Sequence, residues 1–279
     1  MPELPEVETI RRFLGRQVAG KRIEAVRFGA KRVTMHPGPA GVRRGLLGAT
    51  VLGVGRRGKY LIFHLSNGRQ LVLHLGMSGQ VRRFGGDPMH RHEHMRLEFS
   101  DGQTLSFVDA RRFGRVCVIM DGGVLPMSVR GMERMGPEPI EKGYSAAYLG
   151  AHLSGRTARV KSLLLDQRVA CGVGNIYSDE ALHRAGIRPD RRAGSLKPPE
   201  VSRLTVALGS VLKDGIRWCG TTMKDGGYVL VDGGVGSFQD RLRVYGREGE
   251  RCRRRGCAGV VRRQKLGGRS THFCPVCQR

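Results

Sequence analysis

The chain has 279 residues, enough for two domains with separate cores. Its 49 Lys+Arg against 24 Asp+Glu leave a formal charge of +25, which repels itself in a compact fold and calls for a polyanionic partner, nucleic acid before a membrane surface. No stretch approaches the ~18 apolar residues of a membrane span, and the start Met1-Pro2-Glu3-Leu4-Pro5-Glu6 has neither the basic nor the apolar region of a signal peptide, so neither a membrane protein nor a secreted one is expected.

The first element is a helix over residues 5–14. Val7, Ile10, Leu14 and Val18 recur at helical spacing, Pro5 sits in the first turn and Gly20 follows as a stop. Glu6 and Glu8 fall near the positive end of its dipole. From about Arg22 to Met120 the period changes to that of strands, with runs at Tyr60–Leu65, Gln70–Leu75, Met95–Phe99 and Thr104–Val108. Ser66-Asn67-Gly68 and Ser100-Asp101-Gly102 are turn signals between neighbouring runs, which predicts antiparallel hairpins and a β-sandwich.

Around Gly122–Tyr144 the pattern dissolves into a Gly/Pro/Met-rich stretch, and residues 126–143 are read as the linker after a first domain at 1–125. Helical spacing returns with Val160, Leu163, Leu164 and Leu165, then Ile176–Ala185, then Val201–Trp218, in a second domain at 144–240. Between the first two of these helices lies Cys171-Gly172-Val173-Gly174-Asn175, a glycine-bearing turn able to present backbone N–H groups to a phosphate. Glycine is dense from Gly226 to Gly236, which predicts a mobile loop before residues 241–279.

That last segment carries Cys252-x4-Cys257-x16-Cys274-x2-Cys277, two close pairs separated by a short spacer, the pattern of a tetrahedral thiolate zinc ribbon. Two disulfides are the alternative. Zinc is preferred because nothing else looks secreted and the seven cysteines are odd in number, as in a reducing cytoplasm. One structural Zn²⁺ is expected, since four sulfurs leave no open position for water or substrate. Arg253, Arg254, Arg255, Arg262, Arg263, Lys265 and Arg269 surround the site and no Asp or Glu occurs from 251 to 279, a surface suited to phosphate.

The N-terminus carries possible chemistry. A small residue after Met1 ordinarily permits its removal, leaving Pro2 as a secondary amine with a pKa of roughly 8. Attack by such an amine on a sugar carbon gives an iminium, an electron sink for elimination, and Glu3 could act as general acid to a sugar oxygen.

Met1-Pro2-Glu3-Leu4-Pro5-Glu6-Val7-Glu8-Thr9 resembles the start of the bacterial formamidopyrimidine-DNA glycosylases. Lys59-Tyr60-Leu61, His74-Leu75-Gly76-Met77-Ser78-Gly79, Asp109-Ala110-Arg111-Arg112-Phe113-Gly114, Gly172-Val173-Gly174-Asn175-Ile176-Tyr177, Val244-Tyr245-Gly246-Arg247 and the ribbon ending 269–278 resemble further segments of that family, in its order. The resemblance implies an α+β fold: an N-terminal helix with a β-sandwich, then a helix–two-turn–helix domain and a β-hairpin zinc ribbon. It implies a base-excision repair enzyme that flips out and removes oxidised purines (8-oxoguanine, formamidopyrimidines) from double-stranded DNA, then cleaves by β,δ-elimination. Pro2 would be the nucleophile and Glu3 the acid, with Lys59 assisting β-elimination and Arg269 holding phosphate and serving δ-elimination. His74, His92, Arg111, Arg156, Lys161 and Asn175 would contact the DNA backbone, while Met77, Arg111 and Phe113 would fill the hole left by the everted base. A cytoplasmic monomer associated with the nucleoid is expected.

Two departures from the family pattern stand out: the x4 first cysteine spacing and a slightly longer loop at 223–238, over the region that covers the flipped base in the family. Leu4 resembles the purine-specific branch, where the endonuclease VIII-like branch for oxidised pyrimidines tends to have glycine. Other readings are a lesion-binding protein without catalysis and a zinc-ribbon adaptor.

Overall fold

The computed structural model describes residues 1–30, 33–83, 89–120, 122–127, 129–223 and 226–279. The chain forms two compact units: residues Met1–Glu133 with Cys219–Ser237, and residues Arg134–Trp218 with Phe238–Arg279.

The first unit opens with helix α1 (Leu4–Gln17), whose apolar stripe Val7, Ile10 and Leu14 is buried. On its flank Glu8 accepts hydrogen bonds from Arg11, Arg12 and Arg56. Burial alone would raise its pKa, but these guanidinium contacts win and hold the carboxyl down at about 2. Strands β1 (Ile23–Phe28) and β2 (Thr34–His36) and helix α2 (Pro39–Leu46) follow. Next come β3 (Val51–Arg57), β4 (Tyr60–Leu65), β5 (Arg69–His74) and β6 (Gly79–Arg82). The unit's last strands are β7 (Glu93–Phe99), β8 (Thr104–Asp109) and β9 (Arg115–Met120).

Among the described residues these strands form a four-stranded sheet in the order β1-β7-β8-β6 and a five-stranded sheet in the order β2-β9-β5-β4-β3. Both sheets and α1 feed one apolar core, in which Phe63, Leu71 and Leu73 of one sheet join Leu97, Leu105 and Phe107 of the other. The expected hairpins are present as the antiparallel pairs β4–β5 and β7–β8. Helix α2 has no clear sequence signal, because Gly41 and Gly45 depress its propensity. Gly45 is there for packing: a Cβ at that position would lie 2.6 Å from the Val118 side chain.

Residues 219–237, grouped with the helices in the sequence reading, belong to this first unit. Tyr228 and Val231 sit in its core, the Arg83 N–H donates to Val231 O (3.1 Å) and the Tyr228 hydroxyl donates to Cys219 O (3.0 Å). Their apolar side chains find the sandwich core rather than solvent, which glycine density alone does not reveal. Lys224 and Asp225 of the 223–238 loop lie outside the described residues.

The second unit contains α3 (Ala146–Leu153), α4 (Val160–Leu164), α5 (Asn175–Ala185) and α6 (Pro198–Arg217). Helix α6 starts three residues before its expected bound, because Pro198 and Pro199 suit the first turn and Glu200 accepts the Lys197 N–H at 2.8 Å. Strands β10 (Arg262–Leu266) and β11 (Arg269–Phe273) form the terminal hairpin. No helix among the described residues is long and apolar enough to cross a membrane.

Candidate functional sites

In the first unit the candidate chemistry stands on the head of α1 and on short sheet turns. Pro2 is buried directly before the helix, and Glu3 is only 2 % exposed. The backbone N–H of Glu3 donates to Glu6 Oε2 (2.8 Å), while Glu6 Oε1 accepts the Thr221 N–H (2.8 Å). One buried carboxylate thus ties the start of the chain to residues 219–237. Lys59 occupies the two-residue turn between β3 and β4 beside Gly58, whose φ of +54° suits such a hairpin, and is 6 % exposed.

His74 pairs with Tyr60 across β4–β5, their rings 4.6 Å apart, and its Nδ1 accepts the Gly76 N–H at 3.2 Å. Burial, then the charges of Lys59 and Arg115, push its pKa down to about 4. The ring is neutral at pH 7, so it offers a phosphate no full charge. His92 lies half-buried just before β7, next to a cavity of 140 Å³ lined by Arg91, His92, His94, Ala110 and Arg112.

Met77 and Phe113 occupy two different turns, between β5 and β6 and between β8 and β9, and the structure brings those turns together. Gly76 takes φ +63°, and a Cβ there would lie 2.7 Å from the carbonyl carbon of Phe113, so only glycine lets the turns touch. Met77 is 37 % and Phe113 52 % exposed, with the Arg111 guanidinium 5.2 Å from the Phe113 ring centroid. A Phe and a Met exposed on touching turns are not core packing.

The residue that holds both turns is Asp109, fully buried. Its Oδ1 accepts from the Ser78 hydroxyl (2.5 Å) and the Arg111 N–H (3.1 Å), and its Oδ2 accepts the Gly114 N–H (2.7 Å). The sequence reading assigns Asp109 no role, although an acid at the head of a turn was a usable signal.

In the second unit the α4–turn–α5 segment and the hairpin hold the remaining candidates. Gly267 (φ +53°) and Gly268 (φ +78°) make the two-residue turn between β10 and β11, a conformation with both φ positive that glycine meets without strain. Arg269 is the first residue past that turn and is exposed, as is Arg156. Asn175 opens α5, and its side-chain amide donates to Ser270 O (3.0 Å).

Lys161 stands differently from its expected role as a phosphate contact. It is 1 % exposed, and its ammonium is committed to Asp179 Oδ1 (2.6 Å), Thr271 Oγ1 (2.8 Å) and Ser270 O (3.0 Å). A charge this buried is held by its partners and has no surface to offer a backbone phosphate. Asp179 also accepts the His272 N–H (2.8 Å), and Glu180 accepts the N–H groups of Arg243, Val244 and Tyr245. These two acids, which the sequence reading passes over, bind α5 to the residues around the ribbon.

The sulfurs of Cys252, Cys257, Cys274 and Cys277 all lie within 4.8 Å of one another. Cys252–Cys277 and Cys257–Cys274 are 3.7 and 3.6 Å apart, close to the ~3.8 Å edge of a tetrahedron with metal–sulfur bonds of about 2.3 Å and far beyond a disulfide's ~2.05 Å. Backbone N–H groups of Arg254 and Gly259 point at Cys252 and Cys257 Sγ, both at 3.4 Å, the donors a thiolate needs. The cluster fits a structural metal ion, and the two-disulfide alternative does not match it.

Residues 1–116 match the family described as the formamidopyrimidine-DNA glycosylase N-terminal domain, and residues 135–226 match its H2TH domain. The chain belongs to the formamidopyrimidine-DNA glycosylase family. It is 42 % identical to the formamidopyrimidine-DNA glycosylase of Pelotomaculum thermopropionicum, over 100 % of this chain and 99 % of the relative. Identity to that of Novosphingobium aromaticivorans is 43 %, covering both chains fully. Among solved structures, the MutM (Fpg) protein of Thermus thermophilus superposes with a TM-score of 0.88 at 41 % identity, covering 99 % of this chain and 98 % of that one. The Lactococcus lactis Fpg bound to DNA containing an abasic site gives 0.90 at 33 % identity, covering 99 % of each chain. Glycosylase activity in DNA repair goes with membership of this formamidopyrimidine-DNA glycosylase family. Its two matched domains fall on the β-sandwich and on the helices α3–α6, and the four-cysteine hairpin follows them.

Proposed function

We propose that this protein is a bifunctional DNA glycosylase and AP lyase that binds double-stranded DNA and removes oxidised purines, 8-oxoguanine and formamidopyrimidines. The observation that carries the reading is the start of α1: Pro2 and Glu3 are buried together, with the backbone between them and the helix pinned by Glu6. Solved relatives bound to DNA with an abasic site and with Fapy-dG support the substrate class.

Removal of Met1 frees the Pro2 amine. Its lone pair attacks C1′ of the damaged nucleotide as the C1′–N bond to the base breaks, and the proton that the amine gives up goes to the departing base. Glu3 gives a proton to the ring oxygen as the sugar opens, leaving a cationic iminium on Pro2. Loss of a C2′ proton then expels the 3′-phosphate, and a second elimination expels the 5′-phosphate. Lys59, desolvated in its turn, assists the first elimination, and Arg269, exposed past the Gly267-Gly268 turn, holds the phosphate for the second. His92, Arg111, Arg156 and Asn175 contact the backbone. His74, being neutral, contributes shape and a ring N–H at most. Met77, Phe113 and Arg111 enter the gap left by the everted base, and Lys161 positions Ser270 and Asn175 from within.

The metal is zinc, one per chain and structural, held by Cys252, Cys257, Cys274 and Cys277. Residues 1–125, joined by residues 219–237, form the catalytic domain, 126–143 the linker, the remainder of 144–240 the helical domain and 241–279 the ribbon, in a cytoplasmic monomer.

Borohydride reduction on a duplex with 8-oxoguanine opposite cytosine tests the mechanism. The wild type is expected to be trapped on DNA, while Pro2→Gly loses most trapping yet keeps DNA binding. Equal trapping by a form that retains an extra N-terminal residue would remove Pro2 as nucleophile. No trapping by the wild type at all would leave a lesion-binding protein.

A further inference from the structure

His183, on the last turn of α5, is fully buried and points at the four-sulfur cluster. Its Nε2 lies 3.3 Å from Cys252 Sγ and 3.7 Å from Cys277 Sγ, facing one edge of the tetrahedron. Its Nδ1 is buried without a hydrogen-bond partner among the described residues. The backbone that carries the ring is held in place by the ribbon itself. Arg254 donates to the carbonyls of His183 and Arg184, Gln278 Nε2 donates to Ile187 O (2.8 Å) and the Arg279 N–H donates to Gly186 O (3.0 Å). The end of α5 and the metal turn therefore form one rigid piece.

A bare Nε2 set against two thiolates would oppose lone pairs to negative charge, so the proton belongs on Nε2. Four thiolates and one divalent cation sum to a charge of −2, which N–H donors offset. Backbone donors already serve Cys252 and Cys257. We propose that His183 is a positioning residue of the metal site, donating an N–H···S hydrogen bond to the Cys252–Cys277 edge and so coupling metal retention to helix α5.

This inference rests on the metal reading above, and the test separates the two. Cobalt(II) is exchanged into the full-length protein, and the sulfur-to-cobalt charge-transfer band and the rate of metal release to a coloured chelator are recorded. An N–H···S bond lowers the energy of the sulfur electrons, so His183→Phe shifts the band to longer wavelength and releases metal about 10-fold faster or more. His183→Gln, which restores an N–H donor, brings both readouts back toward the wild type. Circular dichroism checks that both variants keep the helical signal. An unchanged band and release rate in His183→Phe would overturn the inference while leaving the metal site intact. So would His183→Gln behaving like His183→Phe. A wild type that shows no tetrathiolate cobalt spectrum would overturn the metal reading and this inference together.

Discussion

The two units place their functional groups by the same device, a buried carboxylate, set on different elements. In the first, one such carboxylate ends strand β8 and another lies on the first turn of α1, and each gathers backbone or side chains from two segments. Asp109 holds the Ser78 turn and its own 110–114 turn, and Glu6 holds Glu3 and Thr221. In the second, the acids sit on one helix and reach far along the chain, Asp179 to His272 and Lys161, Glu180 to residues 243–245. The first arrangement orders side chains whose roles need fixed geometry. The second orders a frame from which exposed cations, Arg269 and Arg156, extend. Specific chemistry and general affinity should therefore separate under mutation.

The largest effect is expected where the frame holds a buried charge. Lys161→Met leaves the Asp179 charge uncompensated in a fully buried site, and breaking such a pair costs about 3–5 kcal/mol. Thermal or urea unfolding should show the loss. The double variant Lys161→Met/Asp179→Leu should recover part of it by removing the stranded charge, although Asp179 also serves the His272 N–H. A Lys161→Met protein of wild-type stability whose salt slope alone has fallen would restore Lys161 to the phosphate contacts.

Asp109→Asn should be milder. The amide keeps the size and one acceptor, but one of the carboxylate's accepting positions becomes a donor facing N–H or O–H, a cost of about 1–3 kcal/mol. A different readout is expected here. Excision of 8-oxoguanine should fall further than affinity for undamaged duplex and its salt dependence, because the turns carry the uncharged Met77 and Phe113 beside Arg111. A parallel drop in affinity for undamaged DNA would mean that the two turns belong to general binding.

The contrast sharpens further with exposed side chains. Arg269→Ala should weaken lesion and undamaged DNA alike and lower the salt slope by about one unit. Met77→Ala and Phe113→Ala should leave the slope unchanged and reduce base removal, with Arg111→Ala mixed. Titration of each variant at several salt concentrations, with and without the lesion, distinguishes them. A change in slope without a change in base removal in Met77→Ala would take that side chain out of the gap.

Legibility in the sequence followed the same division. Strands with strong β-formers and Gly-marked turns, such as Tyr60–Leu65 and Thr104–Val108, were readable, as were the cysteine spacing and the helix at the start. Strand β3 and helix α2 were not, because their glycines obscure a period that tertiary packing, as at Gly45 against Val118, requires. Lys161 is expected from the sequence to be a DNA-backbone contact, which requires exposure. Its burial depends on Asp179 and on Ser270 and Thr271 more than a hundred residues on, a long-range pairing with no local signature. Asp109 was visible only as part of a motif, since its role is to join two turns that the sequence separates.

The smallest effect concerns His74, a first-unit candidate that the sequence reading grouped with the backbone contacts. Its pKa falls from an ordinary 6.5 to about 4, by burial first and then by Lys59 and Arg115. The unfolded chain thus binds this proton more readily than the folded one between pH 4 and 6.5. Stability from keeping the ring neutral is fully present above pH 6.5 and is lost as pH falls through that window. Glu8, held at about 2 against an ordinary 4.5, loses its contribution lower, between pH 4.5 and 2, so the two windows barely overlap. His74→Gln should therefore flatten the rise of stability between pH 4 and 6.5, being relatively more stable than its parent at pH 5 than at pH 7. Its salt slope for DNA at pH 7 should match the wild type, since no charge is removed. Unfolding midpoints at pH 5 and 7 and one salt titration suffice. A slope reduced by a full unit at pH 7 would show His74 charged on DNA, and with it that the partner raises the pKa that the protein alone depresses.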